Sequence, residues 1–198
     1  MSPGSSRPAQ DAPLPPSWSP DGIKIAYTSG QGWDGHSKAD IYVINVSGEG
    51  DTNQPRPLTD SFPGTAGGPS WSPDGTEIAF THADETGTST IYKMDADGSE
   101  EAPLTHNEQM EKLEVVDDEV VDAQASPTWS PEGDQIAYVR IVPRCDYGYD
   151  CSTDSTDPSY SLHPSEIYIM NSDGSNPTLV RNFGKHASLS GLDWQPLP

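Results

Sequence analysis

Residues 18–22 read WSPDG, the same five letters return at 71–75, and residues 129–133 read WSPEG. The copies stand 53 and 58 residues apart. A catalytic motif is usually written once, so a stretch written three times points to architecture. Inside each copy the letters specify a turn. In the turn Ser-Pro-Asp-Gly, proline presets φ at the second position, and glycine at the fourth adopts the left-handed backbone that other residues avoid. A strand therefore ends at each tryptophan, reverses, and continues into IKIAY, TEIAF or DQIAY.

Reading outward from the tryptophans extends the repeat. The first unit runs PSWSPDGIKIAYTS, then ADIYVINVSG, then RPLT. The second runs PSWSPDGTEIAFTH, STIYKMDADG and APLT; the third runs PTWSPEGDQIAYVR, SEIYIMNSDG and PTLV. A fourth begins at Leu192 with LDWQP. Each full unit supplies four short strands with glycine-centred turns at Gly22, Gly75 or Gly133 and again at Gly48, Gly98 or Gly174. That is a four-stranded antiparallel meander.

The strands are apolar on both faces. In IYVI, Ile41 and Val43 point one way while Tyr42 and Ile44 point the other. Such a sheet must be covered on both sides, and the chain offers almost no helix signal to do it. Sheets must cover sheets, with Ala26, Ala79 and Ala137 at mid-strand allowing close approach. The expected fold is all-β: β-propeller repeats forming three four-stranded antiparallel blades plus one extra strand, as an open arc or part of an intermolecular assembly. The boundaries predicted are a Pro/Ser-rich extension at 1–15, blades at 16–68, 69–126 and 127–191, and the first strand of an incomplete blade at 192–198. Trp18, Trp71, Trp129 and Trp194 fall in the blade core by register.

The pattern WSPDG…IAY…DIYVIN…G…LT, over residues 16–196, resembles the TolB-like propeller repeat. That family includes a periplasmic protein and the propellers of tricorn-type and prolyl-oligopeptidase-type peptidases. The resemblance implies a fold more than a function, because the shared letters build blades.

Closed propellers usually have four to eight blades. Three blades and one strand leave two apolar end faces, which mark interaction or aggregation. The faces are covered if the chain is a segment of a longer protein, if two chains pair into one ring, or if copies join head to tail into rings or filaments. The expected partners are other copies of the chain or a different protein.

Composition narrows the rest. The 31 Asp and Glu against 10 Lys and Arg give a net charge of −21, which repels nucleic acid and anionic lipid. Glycine (18) and proline (20) recur at fixed offsets, as turns between strands require. No apolar run reaches the roughly 18 residues of a membrane span, so membrane insertion is not expected. Residues 1–16 lack the charged and apolar regions of a signal peptide.

Cys145 and Cys151, in CDYGYDC, are spaced to close a small disulfide ring. An oxidising extracellular or periplasmic location would follow. A reduced pair is the alternative.

The turns beside the tryptophans are short and uniform, while the loops at the opposite end are long and irregular. Binding loops vary where scaffold turns do not. Candidate binding residues on those loops are Trp33, Asp34, Tyr147, Tyr149 and Tyr160. Asp146, Asp150, Asp154 and Asp157 offer oxygens suited to a hard cation such as Ca²⁺, although their spacing matches no metal motif. No cofactor is required by any motif. Residues 108–123 place Met110, Leu113, Val116 and Val120 at helical spacing, which fits a short rim helix or an extended acidic loop equally.

Neither GxSxG nor HExxH occurs, and the five histidines are scattered. The sequence therefore reads as non-catalytic: a structural or interaction module that completes its blades by self-association. A TolB-like protein-binding segment of a longer chain is the alternative, as is the propeller of a serine peptidase without its hydrolase domain.

Overall fold

The computed structural model describes residues 14–30, 38–46, 54–85, 88–106, 123–141, 165–183, 189 and 191–194. Every regular element among them is a strand. The first blade holds β1 (Ser17–Trp18), β2 (Lys24–Gly30), β3 (Ala39–Asn45) and β4 (Arg56–Pro57). The second holds β5 (Thr65–Trp71), β6 (Glu77–Ala83), β7 (Ser89–Asp95) and β8 (Ala102–Pro103). The third holds β9 (Ala123–Trp129), β10 (Gln135–Ile141), β11 (Ser165–Asn171) and β12 (Thr178–Asn182). Within each blade, neighbours in sequence pair antiparallel. One parallel bridge, Ser89 to Ala123, links the second and third blades.

The repeated turn is held by its own letters. The Gly22 N–H donates to Ser19 O at 2.9 Å, and the Ser19 N–H to Lys24 O at 3.0 Å. Ser19 Oγ accepts the Lys24 N–H at 2.9 Å and donates to Asp21 Oδ1 at 2.5 Å. Asp21 Oδ1 also accepts the Ile23 N–H at 2.9 Å. Ser72 and Asp74 repeat the network around Glu77 and Thr76. In the third copy a glutamate, one methylene longer, stands at the aspartate position. There Ser130 Oγ donates instead to Asp134 Oδ1 at 2.9 Å. The switch from DG to EGD thus moves the carboxylate two residues along and keeps the serine hydroxyl paired.

Blades pack face to face, and the core lies between them. On each blade, the face that carries the tryptophan looks toward the preceding repeat and is here called the leading face; the other is the trailing face. Ala26, Ile41, Val43 and Leu58 on the trailing face of the first blade bury Trp71, Ile78, Phe80 and Met94 on the leading face of the second. Ala79, Ile91 and Leu104 then bury Trp129, Ile136, Tyr138 and Met170. Each large apolar side chain removed from water this way contributes on the order of 1.5–3 kcal/mol.

β5 begins at Thr65 and β9 at Ala123, upstream of the predicted blade starts at 69 and 127. The pairing register shifts between Gly67 and Ser70 and again opposite Ala137 and Val139, which marks β-bulges. Gly68 (φ 63°) and Ser126 (φ 56°) adopt left-handed backbone there. Both strands run on through the bulge.

Candidate functional site

The blade joint is written twice in this chain, and most of its contacts recur at both joints, the indole hydrogen bond, among the described residues, at the second alone. The Trp129 indole Nε1–H donates to Ser70 O at 3.1 Å, the carbonyl just before the tryptophan of the preceding repeat. The Gly68 N–H donates to Thr28 Oγ1 at 3.0 Å, and the Ser126 N–H to Thr81 Oγ1 at 3.2 Å. A Cβ on Gly75 would lie 3.1 Å from Pro20 Cγ, and one on Gly133 3.2 Å from Pro73 Cγ, so successive WSPDG turns stack glycine on proline. At the outer hairpins, a Cβ on Gly98 would lie 3.0 Å from Leu58 O, and one on Gly174 would collide with Leu104 O. The hairpin of each blade therefore seats on the leucine of the blade before it. Arg56 reinforces the first joint by donating to Asp97 O at 2.9 Å.

Against this repeated joint, the two end faces stand out. Trp18 is 55% exposed, while Trp71 and Trp129 are 7% and 6% exposed. Ile25, Tyr27 and Ile44 on the same leading face are half-buried, whereas their counterparts in the next blades are core. Val46 is exposed, although its equivalent Ala96 packs on the first joint. A Cβ on Gly22 would meet nothing within 4 Å. Trp18 is thus corrected from core to surface. Its indole belongs between two blades, and none precedes it among the described residues.

The trailing face of the third blade is bare in the complementary way. β12 is exposed along its whole length. Pairing of Tyr168 with Leu179 places Val180, rather than Leu179, at the position of Leu58 and Leu104. Leu58 and Leu104 are 5% and 6% exposed; Val180 is 55% exposed. Leu179 and Phe183 are exposed beside it, and Ile167 and Ile169 are half-buried. Part of this face is taken by residues 191–194. The Trp194 Nε1–H donates to Thr128 O at 3.1 Å, as Trp129 does to Ser70 O. Gly191 has φ 69°, matching Gly68 and Ser126. The predicted first strand of a further repeat therefore sits at its seat, with Trp194 half-buried.

The first strands of all four repeats line one groove of about 360 Å³. Pro16, Pro69, Pro127 and Leu192 bring neutral, mostly apolar walls to it, with Asp193 its one charged side chain.

The turn aspartates carry the electrostatics of the described residues. The Ser72 hydroxyl and Thr76 N–H hold the Asp74 carboxyl below its ordinary value, as Ser19 and Ile23 do for Asp21. Ser99 does the same for Asp97, and Ser175 for Asp173. These shifts come from local turn hydrogen bonds and mark scaffold.

The loop candidates Trp33, Asp34, Tyr147, Tyr149 and Tyr160 lie outside the described residues, as do Asp146, Asp150, Asp154, Asp157, Cys145 and Cys151. Residues 108–122 of the helix-or-loop segment also lie outside; Ala123 opens β9. Among the described residues, no group of three or more His, Cys, Asp or Glu is placed to hold a metal. No helix among them is long and apolar enough to cross a membrane. Sequence reasoning missed Val180 as a surface residue, because aligning PTLV by its leucine sets Leu179 at the place that counting from Gly174, as from Gly98 to Leu104, gives to Val180.

No protein-family profile matches the chain. Among curated proteins, it is 40% identical over 68 residues to the Tol-Pal system protein TolB of Alcanivorax borkumensis. That stretch is 34% of this chain and 14% of the relative. Among solved structures, a TolB from Agrobacterium tumefaciens aligns over 86% of this chain and 50% of its own, with 24% identity and a TM-score of 0.58. TolB from Acinetobacter baumannii aligns over 87% of this chain and 33% of its own, with 23% identity and a TM-score of 0.55. The chain therefore spans half or less of the chains it matches.

Proposed function

We propose that this chain, whose β-propeller repeats are similar to those of TolB, is a non-catalytic, extracytoplasmic module that acts by protein association and completes its blades with copies of itself. The observation that carries this reading is the exposure of Trp18 beside its buried equivalents Trp71 and Trp129. Repeat proteins bury their apolar faces only against neighbours, and terminal repeats ordinarily carry polar caps. Here both terminal faces are apolar, and they are the two unused halves of a joint that pairs twice inside the chain. A second copy fits either half. Depending on the rotation at the joint, such pairing closes a ring or extends a filament.

Light scattering on the purified chain tests this. The expected result is a mass at a multiple of the chain mass at micromolar concentration. A stable monomer across that range contradicts it.

A second reading has its own support. The chain covers only part of each matched protein, as a protein-binding propeller segment of a longer polypeptide would. The missing halves of the joint are then supplied by blades in the same chain. A longer polypeptide that scatters as a monomer, with Trp18 quenched from solvent, distinguishes this reading from the first. The extracytoplasmic location rests on the Cys145 and Cys151 spacing and the acidic composition. Free-thiol titration of the protein isolated without reductant tests it: no free thiol is expected, and two free thiols would contradict it.

A further inference from the structure

We infer that the strand Gly191–Trp194 is a built-in competitor of self-association, occupying in cis the seat on the third blade that Trp18 of a second copy takes. The inference rests on the self-association reading above and names how that association is regulated.

Three observations carry it. First, the seat is defined by the joint between the second and third blades; at the first joint the Trp71 indole makes no such bond among the described residues. Trp129 gives its indole N–H to Ser70 O, and Trp194 gives its own to Thr128 O, both at 3.1 Å. Ser70 and Thr128 each precede the tryptophan of their repeat, and each is the acceptor for the repeat that follows. Thr128 O is therefore the seat for the next first-strand tryptophan, and Trp194 holds it. Second, Trp18 is the one repeat tryptophan left largely in solvent. In a second copy it stands in the same position of the repeat as the occupant of that seat, and its blade carries the rest of a leading face.

Third, the cis occupant is weakly tied. At the two internal joints a threonine, Thr28 or Thr81, accepts the N–H of the bulge residue. The corresponding residue of the third blade is Val139, whose side chain has no acceptor for the Gly191 N–H. Among the described residues, 191–194 cover only part of the face, and Val180 remains exposed. A second copy brings Trp18 with Ile25, Tyr27 and Ile44, and so covers more of the face.

The competition is between area and proximity. The cis strand is tethered and acts at high effective concentration; the second copy buries more apolar surface but must be collected from solution. A strand seated about nine-tenths of the time weakens the apparent affinity about tenfold, because only the vacated fraction is competent.

Sedimentation velocity on the full-length chain tests this, with circular dichroism confirming the strand content of each variant. Trp194→Ala is expected to tighten association about tenfold. Trp18→Ala, a change at an exposed site, is expected to abolish it, alone or combined with Trp194→Ala. Val139→Thr, which offers Gly191 a hydroxyl, is expected to weaken it. Association that survives Trp18→Ala, or that Trp194→Ala leaves unchanged or weakens, overturns the competition while leaving self-association standing through another surface. Monomers throughout, including Trp194→Ala at the highest concentration reached, overturn both readings.

Discussion

Trp71 and Trp129 hold the same place in successive repeats and are buried alike, but their indoles differ in one respect. Trp129 donates to Ser70 O, whereas Trp71 Nε1 has no acceptor among the described residues; its backbone N–H bonds Ser17 Oγ instead. Replacing each by phenylalanine removes a similar volume but only one hydrogen bond. Trp129→Phe should therefore destabilise by about 1 kcal/mol more than Trp71→Phe, read from urea unfolding. Equal losses would mean that the indole bond adds nothing at the joint. The bulge residues make a second pair. A Cβ on Gly68 would meet nothing closer than 3.8 Å, so Gly68→Ala tests backbone conformation alone and should cost about 1–2 kcal/mol. Ser126→Gly at the equivalent position should be neutral or stabilising. Asp74 links the turn to pH. Its folded carboxyl titrates below the unfolded one, so its contribution is complete above about pH 4 and fades as pH falls through the lower folded value. Asp74→Asn keeps an acceptor in the turn without the titration, and should flatten the acid limb of a pH–stability curve relative to wild type.

At the scale of elements, the sequence displayed most of what the structure holds and concealed particular pieces. The meander was legible because proline and glycine stand at fixed offsets from tryptophan, and because Ile41/Val43 and Tyr42/Ile44 are apolar on both faces of a strand. The upstream halves of β5 and β9 were not legible, since a bulge with left-handed backbone uses the residues of a turn. The register of β12 was hidden for another reason: the leucine of PTLV lies one residue nearer the hairpin glycine than the leucine of APLT, and a shift of one residue exchanges faces. The candidate site was legible as an open end but misassigned at Trp18, because residue type reports the place a side chain holds inside a complete joint, and burial depends on the neighbour. The strand Gly191–Trp194 is where these points meet. Val139→Thr should slow amide exchange at Gly191–Trp194 several-fold if the hydroxyl caps Gly191, as Thr28 caps Gly68. Unchanged exchange would show that the fourth-repeat strand does not sit in the geometry of the other joints.

At the scale of the whole molecule, the balance lies between apolar end faces that attract and a net charge of −21 that repels. Copies brought together at the bare blades also bring their charges together. Screening shortens the range of that repulsion from about 10 Å at 0.1 M salt to about 3 Å at 1 M, while apolar contact is little affected. Association should therefore strengthen as sodium chloride is raised, the reverse of an interface built on opposite charges. The central claim is that the leading face of the first blade and the trailing face of the third are the two halves of one joint. Hydrogen–deuterium exchange as a function of protein concentration tests it most directly. Amides around Trp18 and along β12 should gain protection together as concentration rises, while the middle blade, β5 to β8, stays constant. Protection that is independent of concentration at both ends, or that rises at one end alone, would contradict it.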